Sequence, residues 1–345
     1  MKACVLEAVG NLVYKEVEKP VPKEGEVLVK IKACGICSSD IDRVFKTGTY
    51  HFPTIPGHEF AGVIEELGKG VDESLLGKKA AVFPLLPCKK CPSCLAGEYA
   101  RCDNYNYFGS RCDGGFAQYI AVPVWNLVLM NDDMPYTTAA LCEPAAVALH
   151  AIERAEFSDE DSVVIVGTGT IAFLISVILK SYGAKKIIMI GRNLRKLEVA
   201  SKIEGLTYID SSKEDVQDIV WKLTDNQGAD VVIESVGSSE SIGQSLCLVK
   251  KGGHVVLMGN PAGDIHLNRN AYWKILRNEL YVRGTWNSSY NENNNNWKKV
   301  IKILNEQKEI LDNLITAEFS LSEHEQAFNL LRDKEHMTLK VMFVD

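Results

Sequence analysis

Residues 162–183 read SVVIVGTGTIAFLISVILKSYG. The run from Ser162 to Val166 is short, β-branched and apolar at successive positions, as a strand buried on both faces requires. It passes directly into Gly167-Thr168-Gly169-Thr170-Ile171-Ala172, then into an apolar helix reaching about Tyr182, with Gly183 behind it. This is G-x-G-x-x-G/A in strand–turn–helix context, the arrangement that holds a dinucleotide pyrophosphate. Gly167 makes the tight turn and Gly169 lets the backbone approach the phosphates. Ala172 replaces a third glycine where only helix–strand packing is at stake. Thr168, Thr170 and Ile171 complete the expected cofactor turn.

Working outward, the pattern repeats: KKIIMI to Ile190, a short strand near Thr207 to Asp210, DVVIES at 230–235, HVVLMG at 254–259 and ELYVRGTW at 279–286. Helices intervene; EDVQDIVWKL places Val216, Ile219, Val220 and Leu223 on one face. Six strands with crossover helices predict a doubly wound parallel (Rossmann) sheet with its ligand at the carboxyl ends of the strands. Val236, Gly237, Gly259 and Gly284 lie just past such ends and are expected in the loops over the cofactor. HVVLMG fits either a sheet edge that adds to a partner's sheet or an interior strand.

The end of the second strand selects the cofactor. An acid there would bind the ribose hydroxyls of NAD. The chain instead reads Ile190-Gly191-Arg192-Asn193, with Arg195 and Lys196 in the next turn. Gly191 carries no carboxylate to repel a 2′-phosphate, and Arg192 can grip one bidentately. NADP is therefore favoured over NAD; the competing reading makes Arg192 a solvated turn residue.

At 345 residues the chain suggests two domains. With 46% apolar and 24% charged residues it is globular in composition. No apolar run approaches the roughly 20 residues of a membrane helix, and the N-terminus lacks the features of a secretory signal. A formal charge of −7 argues against nucleic acid as a partner. A cytoplasmic enzyme is the expectation.

Ten cysteines are the unusual component. Without a secretory signal they point to metal or reactivity rather than disulfides. Four form Cys88-x2-Cys91-x2-Cys94-x7-Cys102. Such spacers let four thiolates converge on a tetrahedral structural zinc, with no open position. Scattered core cysteines would not repeat at two-residue gaps, and a ferredoxin run would bring its fourth cysteine after three residues, beside proline. Cys37 belongs elsewhere. It lies in CGICSSD; GHEF follows with His58 and Glu59, and LCEPAAVALHA carries Glu143. A thiolate, an imidazole and a carboxylate make a mixed zinc shell with a free position for substrate. Each has an ordinary alternative, since Glu143 before Pro144 is also good helix-start chemistry. Cys4, Cys34, Cys112, Cys142 and Cys247 read as ordinary thiols.

Together GEVLVKIKACGICSSD, PTIPGHEFAGVIEELGKGV, the four-cysteine stretch, GGFAQYI, LCEPAAVALHA and VVIVGTGTIAFL resemble the zinc-dependent medium-chain dehydrogenases, in their polyol branch, essentially end to end. The resemblance implies a GroES-like β-rich catalytic domain formed by residues 1–149 and 286–345, with the Rossmann domain at 150–285 inserted. It implies reversible oxidation of a secondary alcohol, with Cys37, His58 and Glu143 holding a catalytic zinc and Glu59 as an exchanging or outer ligand. Ser39 would accept the hydroxyl proton. The relay histidine of some relatives is absent, so Asp42 or His51 would assist. Relatives imply a homodimer or homotetramer.

The expected substrate is a polyol phosphate, for which Arg43, Lys46, Arg111 and Lys274 are candidate phosphate ligands. An unphosphorylated polyol or vicinal diol is the alternative. A non-catalytic NADP-binding sensor belongs to another class and would not be expected to keep the zinc ligands. NENNNN at 291–296 reads as a solvated loop.

Overall fold

The computed structural model describes residues 1–192, 195–333 and 335–345. It divides into two compact units, Met1–Pro144 with Ser289–Asp345, and Ala145–Ser288.

In the second unit the strand Ser162–Val166 is buried at every position and lies at the centre of a six-stranded parallel sheet. Spatial order runs Leu206–Asp210, Lys186–Gly191, Ser162–Val166, Ala229–Glu234, Val249–Leu257, Tyr281–Gly284. In chain order this is 3-2-1-4-5-6, so connections diverge between Ser162–Val166 and Ala229–Glu234. Their carboxyl ends form the switch point where such sheets bind ligands. The helix Thr170–Ser181 buries Ala172 to Leu179 along the sheet. The strand containing HVVLMG is interior, because Tyr281–Gly284 pairs along its free side and becomes the edge.

The first unit is built on a seven-stranded, mainly antiparallel sheet, with a hairpin formed by Lys2–Ala8 and Asn11–Glu16. At its middle, Glu26–Ile36 pairs with Glu59–Leu67, Lys340–Val344 and Tyr119–Pro123. The alternating pattern of Glu26–Ile36 buries Val27, Val29 and Ile31 with Phe60, Phe116, Phe328 and Phe343. This is the GroES-like β-rich architecture paired with a Rossmann sheet.

NENNNN is not the solvated loop its composition suggests. Asn295 caps the helix Asn296–Glu306 through Lys298 N. Asn296 is fully buried and accepts from Ser289 N at 2.7 Å. Asn291 donates to Gly97 O at 2.9 Å, tying the C-terminal segment to the four-cysteine stretch. Asn291, Asn295 and Asn296 are here short side chains that satisfy backbone groups. Among the described residues no helix is long and apolar enough to cross a membrane.

Candidate metal and dinucleotide sites

Three strand ends of the first unit meet at one place. Glu26–Ile36 delivers Cys37 just past its end, Glu59–Leu67 starts on Glu59 with His58 before it, and Lys340–Val344 starts on Lys340. Register sets Gly35 opposite Glu59 and Met342. A Cβ on Gly35 would stand 2.2 Å from Glu59 Oε2 and 3.2 Å from Lys340 Cδ, so only glycine leaves room for that carboxylate. Ligand atoms of Cys37, His58 and Glu59 lie within 4.8 Å of one another. Glu143, in the first turn of Cys142–Arg154, stands outside that trio and accepts from Tyr107 Oη at 3.0 Å. The donor set of thiolate, imidazole and carboxylates suits zinc.

The surrounding charges were not singled out in the sequence. Asp40, fully buried, accepts from Cys37 N at 3.0 Å and Arg43 Nη1 at 3.0 Å, and its Oδ1 lies 3.4 Å from His58 Nδ1. That nitrogen has no other partner among the described residues, the position from which a carboxylate orients a metal-binding histidine. Burial opposes the charge of Asp40, but His58, Arg43 and Cys37 N outweigh it and its pKa falls. Burial likewise disfavours an imidazolium at His58, yet Asp40 and Cys37 raise its pKa well above the usual range. Lys340 contacts Glu59 in a buried ion pair; that carboxylate and the charges of Cys37 and Glu143 override burial and keep the ammonium charged. Glu143, almost stripped of water, has its pKa pushed up to about 7.

Ser39 accepts from Arg43 Nη1 at 2.9 Å, leaving its own hydrogen available to another acceptor. Asp42 is paired with Lys46 at 2.8 Å. His51 faces Pro53 O at 3.1 Å and Arg111 O at 3.2 Å. Both of the expected proton assistants are therefore engaged elsewhere.

Cys88, Cys91, Cys94 and Cys102 bring four sulfurs within 4.8 Å of one another, and Cys88 Sγ lies 3.9 Å from Cys94 Sγ. Thiolates bound at about 2.3 Å to a tetrahedral ion stand roughly 3.8 Å apart, so this pair already has zinc-bound spacing and the four sulfurs are close enough to share one ion. Backbone N–H groups of Lys90 and Cys91 lower the Cys88 pKa to about 6, favouring the ligating thiolate. Of the remaining thiols, Cys4, Cys34 and Cys142 are fully buried; burial pushes Cys4 up to about 12, which makes it inert.

In the second unit Gly167 has φ +120°, and a Cβ there would meet Ser235 Oγ at 2.5 Å. Gly169 precedes the helix Thr170–Ser181 and faces open space, leaving the backbone approachable by a phosphate. Thr168 precedes it in the turn, and Thr170 and Ile171 open the helix behind it. Gly237 and Gly259 touch backbone to backbone beyond the strand ends; a Cβ on Gly259 would meet Gly237 N at 2.0 Å. Val236 beside them is half exposed.

Gly191 is also sterically fixed: a Cβ would lie 2.2 Å from Thr168 Cγ2 and 2.5 Å from Tyr208 Oη. Arg192 pairs with Glu240 at 3.0 Å, both side chains largely exposed. Lys196 donates to Thr168 O at 2.8 Å and so braces the turn. Asn193 lies outside the described residues.

These arrangements agree with the chain's relatives. Residues 23–132 match the family model of the alcohol dehydrogenase GroES-like domain, and residues 167–306 that of the zinc-binding dehydrogenases. The chain belongs to the zinc-dependent medium-chain dehydrogenases and is an alcohol/polyol dehydrogenase. Galactitol 1-phosphate 5-dehydrogenase of Escherichia coli K12 is 35% identical over 95% of both chains. The sorbitol dehydrogenase of Halalkalibacterium halodurans is 31% identical over 100% of both. The crystal structure of galactitol-1-phosphate dehydrogenase from Escherichia coli superimposes with TM-score 0.93 at 34% identity, covering 100% of each chain. Solved neighbours carry nicotinamide cofactors of both kinds. A zinc-binding dehydrogenase of Sinorhizobium meliloti 1021 holds NADP (TM-score 0.90, 28% identity, 100% and 99% covered). A short chain alcohol dehydrogenase of Escherichia coli CFT073 holds NADH (TM-score 0.90, 26% identity, 100% and 99% covered).

Proposed function

We propose that this dehydrogenase reversibly oxidises a secondary alcohol of a polyol phosphate, galactitol-1-phosphate-like, to the keto-sugar phosphate. NADP is the favoured cofactor, and each chain holds two zinc ions. The observation that carries the reading is the Cys37–His58–Glu59 cluster, its histidine and carboxylate buried and its thiol partly exposed. Cys37, His58 and Glu143 would hold the catalytic ion, with Glu59 as its exchanging or outer ligand; Cys88, Cys91, Cys94 and Cys102 would hold the structural one.

When bound, zinc supplies Lewis-acid stabilisation of a deprotonating hydroxyl, and the nicotinamide accepts the hydride. The chain's own residues do the rest. Ser39 would take the hydroxyl proton by hydrogen bond while passing its own hydrogen to solvent water; Arg43 fixes its oxygen. Asp40 orients the His58 ring through Nδ1. Lys340 balances the charge of Glu59, which would otherwise be a buried, unpaired carboxylate.

Two features support NADP. Gly191 bears no acid, and the Arg192–Glu240 pair, being exposed, contributes at most about 1 kcal/mol, so a 2′-phosphate can displace Glu240 from it. The 31% identical sorbitol dehydrogenase favours a second reading, an unphosphorylated polyol. A panel of polyols and their phosphates, run with both cofactors on zinc-replete protein, decides between them. Higher kcat/KM on the phosphate with NADP upholds the proposal; higher kcat/KM on the free polyol sinks the first part, and on NAD the second.

A further inference from the structure

Four cations offered themselves as phosphate ligands, and the structure separates them. Arg43 is committed to Ser39 and the buried Asp40, and Lys46 already has the Asp42 carboxylate beside it. Lys274 belongs to the helix Arg269–Arg277 of the second unit. Arg111 differs. Its guanidinium carbon lies close to two aromatic rings, 4.1 Å from the Tyr50 centroid and 4.4 Å from that of Tyr105. Nη2 donates to Tyr50 Oη at 3.1 Å and Nη1 to Tyr105 O at 3.3 Å. Among the described residues no carboxylate forms an ion pair with it. The neighbouring acid, Asp113, is turned to Ile55 N at 2.8 Å.

We propose that Arg111, held by contacts with Tyr50 and Tyr105, is the phosphate-binding residue that selects a phosphorylated polyol. The inference rests on the reading above that the substrate is a polyol phosphate. A guanidinium has five N–H donors, and two are used in holding it still. The rest retain the planar fork that matches phosphoryl oxygens bidentately. Tyr50 is 70% exposed, so this ring stands in water for no packing gain of its own. Contact with both rings and the two hydrogen bonds hold the arginine in place before a ligand arrives, which lowers the entropy lost on binding.

A chain of aromatic rings also leads from Arg111 to the metal cluster. The Tyr105 ring is 6.3 Å from Tyr107, whose own ring is 5.8 Å from His58 and whose hydroxyl binds Glu143. A polyol phosphate carries its reacting alcohol and its phosphate at opposite ends, so a phosphate ligand belongs some way from the metal ligands, along such a chain of rings. Because the chain is acidic as a whole, an anionic substrate needs this local cation.

The test uses zinc-replete enzyme with galactitol 1-phosphate, galactitol and inorganic phosphate as probes. Arg111→Gln should raise KM for the phosphorylated polyol about 10- to 100-fold, the worth of lost charge-assisted hydrogen bonds. It should leave kcat and the kcat/KM for galactitol unchanged, and abolish competitive inhibition by inorganic phosphate. Arg111→Lys should fall between. Tyr50→Leu keeps the charge but removes one ring; it should raise the same KM less, and serves if Arg111→Gln loses zinc or Tm. Equal losses on both polyols, or phosphate inhibition indifferent to Arg111, would overturn the proposal. If the wild type prefers galactitol, the substrate reading falls separately. Inhibition by inorganic phosphate that still requires Arg111 then upholds the anion site, and inhibition that does not removes it.

Discussion

The two candidate metal clusters of the first unit are assembled in opposite ways. Cys88, Cys91, Cys94 and Cys102 come from 15 consecutive residues and hold one another through local turns, with Cys88 N donating to Cys102 Sγ at 3.3 Å. Cys37, His58 and Glu59 come from different strand ends, with Lys340 arriving from the far end of the chain. The local cluster depends on spacing; the other depends on the whole sheet's register, since a one-residue slip would turn every side chain to the opposite face. A zinc lost from the first should therefore cost stability before activity, and one lost from the second activity before stability.

The largest effect tests that contrast directly. Cys37→Ala or His58→Ala should lower kcat/KM at least about a thousandfold, several kcal/mol of transition-state stabilisation. Zinc content should fall from two per chain to one with Tm little changed; retained activity at half the zinc would break the assignment. Asp40→Asn should keep the zinc but lower kcat/KM about 10- to 100-fold, because His58 loses its orienting charge. An unchanged rate would show the 3.4 Å contact to be incidental. Cys94→Ala should remove the other zinc and lower Tm by roughly 5–10 °C, with residual turnover at low temperature; metal analysis and a thermal scan read both. Arg192→Ala should reduce kcat/KM for NADP about tenfold and barely alter that for NAD. The smallest change is Asn291→Ala, which loses one hydrogen bond to Gly97 and about 1 kcal/mol. If its Tm shift vanished in a Cys94→Ala background, the asparagine turn would act through the cysteine stretch.

The same contrast explains what the sequence made legible. Period, glycine spacing and β-branched runs displayed the six-stranded sheet and its turn, because each strand and loop there is a local unit. The cysteine spacing was equally readable. Asp40 stood in plain view three residues after Cys37, yet its link to His58 depends on antiparallel pairing that no short window encodes. Lys340, 281 residues from Glu59, had no local mark at all. Gly35 was the one available clue, a glycine inside a buried strand, where close approach of another group is the usual cause. The asparagine run misled because composition cannot show which short polar side chains find backbone partners.

The contact between Thr168 and the space beside Gly191 shapes how this enzyme could change cofactor over evolutionary time. An aspartate at 191 is the simple route to an NAD-type ribose contact, but its Cβ would collide with the Thr168 methyl group and the Tyr208 hydroxyl. The tyrosine hydroxyl is the far end of a movable side chain; the threonine branch sits on the phosphate turn itself. The glycine-to-aspartate change alone would thus produce an intermediate worse with either nucleotide, until residue 168 became smaller. If NADP is the cofactor, as proposed, a change to NAD by this route would require positions 168 and 191 to change together.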